Sequence, residues 1–241
     1  MPFMFGWWDV SFLIFMLPAL AFSLIAQGMV KSAYRKQQLV PNARGITGFQ
    51  AAQRMLSHYG IMDVRIEMGQ GKLSDHYDPR SKVIRLSPAV YNNASVAAVC
   101  IAAHEAGHAA QHASIYIPLK LRNAIFPVVR FGSTLAMPIF FIGMMLEFSA
   151  EFITPLSGFL MSLGLGLFVF VALFQLATLP VEFNASRRAM RFIDETDMLH
   201  GPERSGARKV LNAAALTYVA ALVMTLVQLL RLLLISRGRR R

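Results

Sequence analysis

Long apolar stretches are the feature that most limits how this sequence can fold. Hydrophobic residues make up 55% of its 241 residues and charged residues only 15%, which is too apolar a composition for a soluble domain of this length. Three or four stretches reach the roughly 20 mostly apolar residues that a helix needs to cross a bilayer. They cover residues 3–26, 124–148, 153–179 and 211–235. We therefore expect a single mainly α, multi-pass integral membrane protein with about four transmembrane helices.

The distribution of basic residues predicts the direction in which these stretches cross. Lys and Arg are concentrated in loops on the cytoplasmic side of a membrane. They flank the loops 27–123 and 180–210, whereas the loop between the second and third stretches holds Glu147 and Glu151 and no basic residue. Both flanked loops should therefore be cytoplasmic. The basic tail 236–241 would lie outside if the fourth stretch crosses fully, so either the rule fails there or that stretch is buried without crossing.

The charge of the chain indicates a lipid partner rather than nucleic acid. The net charge of +11 fits the predicted topology and an attraction to anionic lipid. No stacking aromatic residues or fold signature point to nucleic acid.

The first stretch has no positive charge before its apolar core, so it should be a retained anchor and not a signal peptide. Nothing in the sequence indicates an oligomeric state.

Residues 104–108 read His-Glu-Ala-Gly-His, which is the pattern H-E-x-x-H in an alanine-rich stretch that favours a helix. Positions four apart lie on one face of a helix, so His104 and His108 can direct both imidazoles at one metal ion. Glu105 stands beside them to take a proton from a metal-bound water. Two histidines leave room for a third protein ligand and an open position, as a catalytic zinc requires. The alternative is a buried polar patch with both histidines satisfied by backbone or carboxylate partners.

The third ligand is predicted in the segment LPVEFNASRRAM. This segment should form a helix that starts after Pro180. Glu182 would complete a site of two histidines and one glutamate, and Asn184 and Ser186 could orient a ligand histidine from behind. Two membrane helices in sequence return the chain to the side it left, so all three ligands can meet near the membrane–water boundary. Alternatively, Glu182 pairs with a nearby arginine of its own helix at the membrane edge.

Two further residues near the motif have simpler interpretations. His112 lies on the same helix face as His104, but it follows eight residues later, about 12 Å along the axis and too far for one ion to bridge. It should support a ligand from behind or be exposed. Cys100 is the single cysteine; it can form no intrachain disulfide, as expected for a cytoplasmic domain, and should pack in the core.

The loop 27–123 is long enough for a small α+β catalytic domain. Thr47 should cap a helix that ends at Gly60. Two strands are predicted at 63–68 and 82–87, and we expect them to form a β-hairpin just before the motif helix. An edge strand at this place could pair with an extended substrate backbone.

The connection between the two predicted strands holds a polar cluster of His76, Tyr77 and Asp78. These residues would either contact substrate and support a metal ligand, or serve the chemistry of the hairpin turn. Asp78 followed by Pro79 is typical of a turn, and the sequence leaves both alternatives open.

Several segments of the chain resemble the YugP-like family of membrane-bound neutral zinc metallopeptidases of bacteria. Together they cover nearly the whole chain: GITGFQAAQRML, LSDHYDPRSKVIRLS, AAHEAGHAAQ, LKLR, LPVEFNASRRA and GARKVLNAAALTYVAA. The resemblance implies zinc peptidase activity and a multi-pass location in the bacterial cell membrane. It also implies that His104, Glu105 and His108 form the core of the metal site.

The order of motif helix, membrane hairpin and Glu-bearing helix is more distantly similar to gluzincins of the HtpX and CAAX prenyl protease type. In those proteins the third ligand is followed four residues later by an Asp. The corresponding residue here is Ser186. The role of that Asp is therefore unassigned, and Asn184 or Ser186 could take it.

The leading hypothesis is a zinc endopeptidase that cleaves membrane or membrane-adjacent proteins or peptides. One zinc per chain, held by His104, His108 and Glu182, would activate a water. Glu105 would take its proton and pass it to the leaving amine. The developing oxyanion needs a further donor. The candidates are Tyr218, His200, His76 and Arg187.

Two alternatives stay open at this point. A site-2-type intramembrane protease would need a longer apolar run before His104 than the roughly nine residues present, and its Asp-Gly ligand motif is missing. A non-catalytic membrane scaffold or chaperone-like adaptor would keep zinc for structure. Structural zinc usually has four protein ligands, whereas this sequence offers three.

Overall fold

The computed structural model describes residues 12–71, 74–150 and 154–238. The start of the first apolar stretch, residues 151–153 with Glu151, and the last three residues of the basic tail lie outside these ranges. A π-helical turn (Phe12–Met16) leads into the first α-helix. The helices are α1 (Leu17–Gln38), α2 (Gly48–His58), α3 (Pro88–Tyr91), α4 (Val96–Ala113), α5 (Ile117–Ala150), α6 (Pro155–Glu195) and α7 (Gly201–Gly238). The strands are β1 (Arg65–Met68), β2 (His76–Asp78) and β3 (Val83–Leu86).

Four of the described helices, α1, α5, α6 and α7, are long and apolar enough to cross a membrane. The described chain is therefore a mainly α, multi-pass membrane protein with a small α+β part, as the sequence predicts. By its internal contacts it divides into two compact units. The membrane unit contains the described residues of 1–25, 121–178 and 218–241, and the mixed unit contains Ala26–Lys120 and Leu179–Thr217.

Glycines allow the helices of the membrane unit to pack closely. A Cβ atom at Gly164 would lie 2.7 Å from the carbonyl oxygen of Ala136, so α5 and α6 are in backbone contact there. Phe140, Met161 and Leu232 form a buried apolar cluster that joins these helices to α7. Small residues at such contacts are the usual means by which helices associate in lipid, where apolar burial alone gives no preference for protein over lipid.

The mixed unit is built around α2 and α4, whose apolar faces share one buried core. Thr47 caps α2 in a capping box with Gln50. Gly60 follows the helix with a φ of 68°, a conformation that glycine adopts at little cost. Both predicted ends of this helix are confirmed.

The three strands form one sheet in the order β1-β3-β2, which corrects the predicted hairpin. The two predicted strands are present as β1 and β3, but they pair in parallel. The hairpin is made by β2 and β3, which pair antiparallel. A parallel pair needs a connection of about a dozen residues or more, and the chain between β1 and β3 supplies it with β2 included. Residues 76–78, predicted as a connection, therefore form the edge strand of the sheet.

The helix that carries Glu182 also differs from the prediction. It does not begin after Pro180, because α6 runs without interruption from Pro155 to Glu195. The segment 201–210 belongs instead to α7. Proline within a helix removes one backbone hydrogen bond, which membrane helices tolerate where other groups take over the freed partner. Glu182 is thus part of the same helix as the third apolar stretch.

In the mixed unit, helices α4 and α6 touch at the motif itself. Ser95 caps α4, and its hydroxyl accepts a hydrogen bond from the backbone N–H of Ala98 at 3.2 Å. Gly107 lies in the second half of α4, and a Cβ atom there would lie only 2.7 Å from the carbonyl oxygen of Ala185 on α6. The backbone of α4 therefore touches the backbone of α6, the helix that bears Glu182. The point of contact lies between His104 and His108 of the motif.

We expect Gly107→Ala to destabilise the protein, because the added methyl group collides with a backbone atom that no side-chain rotation can move. Overpacking of this kind costs about 1–3 kcal/mol. Gly28→Ala on α1 is the matched control, since a Cβ atom there would meet nothing within 4 Å. The thermal midpoints of both detergent-purified variants would be compared with wild type. Equal midpoints for the two variants would contradict the close helix contact.

Candidate metal centre

The structure brings together the side chains of His104, His108 and Glu182. The Nε2 atom of His104 lies 3.4 Å from Oε2 of Glu182, and the Nε2 atom of His108 lies 3.5 Å from the same oxygen. One ligand atom from each of the three residues lies within 4.8 Å of the others. Ligands of a tetrahedral zinc, bound at about 2.0–2.1 Å, are separated by about 3.3–3.5 Å. The donor set therefore fits a zinc ion.

The other nitrogen of each histidine ring is held from behind. Nδ1 of His104 lies 3.1 Å from the hydroxyl of Ser186. Nδ1 of His108 lies 3.0 Å from the side-chain oxygen of Gln111. Because that oxygen can only accept, His108 donates its Nδ1–H to it, which directs Nε2 towards Glu182, where a metal would bind.

Gln111 is a functional candidate that the sequence reasoning missed. Its side chain is completely buried, and its amide nitrogen donates to the carbonyl oxygen of Val181 at 2.7 Å and to Oδ1 of Asn184 at 3.0 Å. These two bonds fix which end of the amide faces His108. Its position three residues after His108 puts it on the same helix face, but its contacts with Val181 and Asn184 are not encoded by any local pattern.

Asn184 and Ser186, predicted to orient a ligand histidine, reach the histidines by different routes. Ser186 contacts His104 directly, whereas Asn184 contacts Gln111, which in turn contacts His108. Asn184 also accepts a hydrogen bond from Nε of Arg188 at 2.9 Å.

In the alternative interpretation, Glu182 pairs with an arginine of its own helix. The hydrogen bonds of Arg187 and Arg188 go to other groups. Arg187 donates to the carbonyl oxygen of Phe183, and Arg188 donates to Asn184 and to the hydroxyl of Ser114. Two imidazoles face the Glu182 carboxylate instead.

The charge of the centre favours a cation. Glu182 and Glu105 are both buried, at 3% and 9% exposure. Burial alone would lower the pKa of His108, but its bond to Glu182 and the charges of Glu105 and Glu182 raise it overall. The direction of this shift indicates an excess of negative charge from the two buried carboxylates, which is costly in a protein interior. A divalent cation would balance it.

Two of the predicted proton or hydrogen-bond donors are His200, between α6 and α7, and Tyr218 on α7. Nδ1 of His200 pairs with Asp197 at 3.1 Å, and its Nε2 accepts a hydrogen bond from Nε of Arg44 at 3.2 Å. Both ring nitrogens of His200 are thus engaged by groups outside the candidate centre. Tyr218 lies on the part of α7 that belongs to the membrane unit.

The polar cluster of β2 divides into three different environments. The hydroxyl of Tyr77 lies 2.8 Å from Nδ1 of His112, which links the edge strand to the end of α4. Burial, with smaller contributions from Asp63 and Asp78, raises the pKa of Tyr77 to about 12, so its hydroxyl stays protonated and can donate. His76 is exposed, and its Nδ1 contacts the carbonyl oxygen of Ser74 at 2.7 Å.

Asp78 serves the turn that follows β2. Its carboxylate accepts hydrogen bonds from the backbone N–H of Arg80 at 2.9 Å and from the hydroxyl of Ser81 at 2.6 Å. Side chains of this kind stabilise turns by binding the backbone two residues later.

Cys100 packs in the core of the mixed unit, as predicted. Its side chain is fully buried, and its thiol donates to the carbonyl oxygen of Ala97 at 3.3 Å. Burial raises the pKa of the thiol to about 12, so it is neither a ready nucleophile nor a ready metal ligand.

Comparison with known proteins gives a consistent result along the chain. A family described as "Putative neutral zinc metallopeptidase" matches residues 12–237. A protein of Bacillus subtilis (strain 168) named "Putative membrane protease YugP" is 45% identical over 224 residues, which are 93% of this chain and 96% of that protein. No solved structure matches the chain. Both matches extend from the first apolar stretch to the last, and we conclude that this protein belongs to the family of YugP-like neutral zinc metallopeptidases of the membrane.

Proposed function

We propose that this protein is an endopeptidase that hydrolyses peptide bonds of membrane or membrane-adjacent proteins, with one zinc ion per chain. The observation that carries the proposal is the convergence of two imidazoles and a buried carboxylate, with Glu105 next to the first histidine. Family membership supports a membrane zinc protease in general. The residues that bind zinc and perform the reaction are the further step proposed here.

His104, His108 and Glu182 would hold the zinc ion. Three protein ligands leave a position open for water or substrate, as in catalytic zinc sites, whereas structural sites are closed by a fourth protein ligand. A bound zinc lowers the pKa of its water and polarises a carbonyl group. The bonds of Ser186 and Gln111 to the two Nδ1 atoms keep both rings in the orientation that this arrangement needs.

Glu105 would act as the general base and then as the general acid. It is buried on the same helix as both histidines, three residues before His108, and its charge contributes to the raised pKa of His108. A carboxylate at this place can take the proton of the attacking water and deliver it to the leaving amine. The developing oxyanion needs a further donor. The candidates are Tyr218, Arg187 and His76, because both ring nitrogens of the fourth candidate, His200, are already engaged.

The edge strand β2 would hold the substrate backbone. It is the outer strand of the sheet next to β3, and an outer strand has one row of backbone groups available for an extended peptide. The Tyr77–His112 bond ties this strand to α4. A peptide paired with β2 would therefore run along the helix that carries the motif.

We place the reaction at the cytoplasmic membrane interface. Glu182 follows the third apolar stretch by only three residues, and the segment after it is rich in arginine. Basic residues favour the cytoplasmic side. A substrate would then be cut close to the point where it leaves the bilayer.

Removal of the third ligand tests the zinc site. We expect Glu182→Ala to lose most of its zinc, because two histidines alone hold the ion weakly, whereas Glu67→Ala, which removes an exposed carboxylate on β1, should keep it. Elemental mass spectrometry of detergent-purified protein gives the zinc content per chain. Full zinc in Glu182→Ala would exclude this ligand, and no zinc in wild type would favour a role without metal catalysis.

Removal of the proposed base tests the mechanism. We expect Glu105→Gln to lower peptide hydrolysis by about 10²–10⁴-fold with the zinc content unchanged, because the amide cannot take a proton. Turnover of a quenched-fluorescence peptide would be measured beside the metal content. A variant that keeps both zinc and wild-type turnover would rule out Glu105 as the base.

Gln111 tests the support of the zinc ligand. We expect Gln111→Leu to weaken zinc binding by about 10–100-fold, because His108 loses the acceptor that orients its ring. Gln53→Leu, the same change on the exposed face of α2, is the matched control. Competition with a chromogenic chelator measures the affinities. The same zinc affinity in Gln111→Leu as in Gln53→Leu would refute the role.

A further inference from the structure

A groove opens along the last part of α6 where it faces α7 within the mixed unit. Its volume is about 640 Å³, and its lining includes Ser186, Arg187, Met190 and Arg191 of α6 and Asn212 of α7. This volume lies in the range of sites that bind small ligands or side chains of a partner. The lining combines apolar, polar, cationic and acidic groups.

The groove and the candidate metal centre share one contact. Ser186 lines the groove and at the same time contacts Nδ1 of His104 at 3.1 Å. Ser186 and the His104 ring therefore separate the groove from the Nε2 atom that faces Glu182.

The end of the groove near the centre carries unbalanced positive charge. Arg187 and Arg191 are exposed and four residues apart, so they lie on one helix face. Within residues 12–71, 74–150 and 154–238, no carboxylate lies within ion-pair distance of either guanidinium group. The only bond of Arg187 in this part of the chain is from Nε to the carbonyl oxygen of Phe183, at 3.4 Å, which leaves its other donors available.

The acidic residues at the far end of the groove are already paired. Asp194 contacts Arg204 and lies 3.9 Å from Arg208. Glu195 lies 3.3 Å from Nε2 of His58. The charge of the groove thus changes from cationic beside the centre to neutralised at its other end.

From this arrangement we propose that the groove recognises acidic side chains of the peptide substrate. Arg187 and Arg191 are separated by about 6 Å along the helix axis, and an extended peptide covers that distance in about two residues. Guanidinium groups bind carboxylates through paired, charge-assisted hydrogen bonds. The inference rests on the proposed peptidase function and adds a substrate class to it.

Binding of defined peptides tests the inference apart from turnover. The full-length Glu105→Gln protein in detergent would be titrated into fluorescein-labelled, C-terminally amidated peptides in which one Asp is scanned through an uncharged sequence. Matched peptides would carry Asn or Lys at the same positions. At the preferred positions we expect Asp to bind about three- to fivefold more tightly than Asn for each guanidinium engaged, with a smaller difference at high salt.

Charge reversal supplies the decisive comparison. In Arg187→Glu and Arg191→Glu we expect the binding preference to move from Asp to Lys at the same peptide positions. In Arg191→Glu with Glu105 kept, the ratio of kcat/KM for the two peptides should move with it; Arg187 is left out of this readout because it is also a candidate oxyanion donor. Arg54→Glu, an equal charge change on the exposed face of α2, should leave the preference for Asp in place. A free C-terminal carboxylate on the uncharged peptide tests whether a chain end serves instead of a side chain, which would contradict a preference for internal acids.

The outcomes separate the two proposals. Cleavage of peptides without any preference for Asp would overturn the groove and leave the peptidase function standing. A preference for Asp that survives both reversals would also overturn it. If the reversals instead reduce binding to vesicles that contain phosphatidylglycerol and leave the peptide preference unchanged, the arginines contact lipid headgroups and the inference is wrong. Absence of turnover by wild type, together with a reversible Asp preference, would contradict the peptidase and retain acidic peptide binding.

Discussion

The candidate centre depends on the backbone contact between α4 and α6. With no side chain at Gly107, the carbonyl oxygen of Ala185 can approach α4 more closely than any other residue would allow. That approach sets the three ligand atoms within reach of one ion. It also places Gln111 against Val181 and Asn184. One missing methyl group thus permits both the ligand geometry and the bonds that support it.

The second constraint is the electrostatic cost of the centre. Two carboxylates and two imidazoles are gathered where water has little access, in a chain that is mostly apolar. Burial of such groups is tolerated when each has partners and the net charge is balanced. The imidazoles meet Glu182 on one side and Ser186 and Gln111 on the other. A divalent cation would complete the balance, so charge and distance both support the proposed metal site.

The sequence predicted the parts of this protein that depend on local patterns. The apolar stretches, the capping box at Thr47 and the motif helix all follow from short-range rules. It failed where the outcome depends on distant partners. Parallel pairing of β1 with β3 reflects a return of the chain that no local pattern encodes. Gln111 cannot be singled out before the folded chain brings Val181 and Asn184 beside it. Pro180 indicated a helix start because proline usually interrupts a helix. Whether a helix tolerates proline in its interior depends on the surrounding groups, which a local pattern does not describe.

The continuity of α6 has a consequence for how the protein can be divided. A fragment cut at the ends of the first loop would carry both histidines but leave Glu182 behind on a membrane helix. That fragment would also expose the apolar face of α4 around Gly107, which α6 covers in the whole chain. The proposed zinc site is therefore indivisible from the bilayer-spanning part. Removal of the membrane helices should therefore also remove the ability to bind the metal.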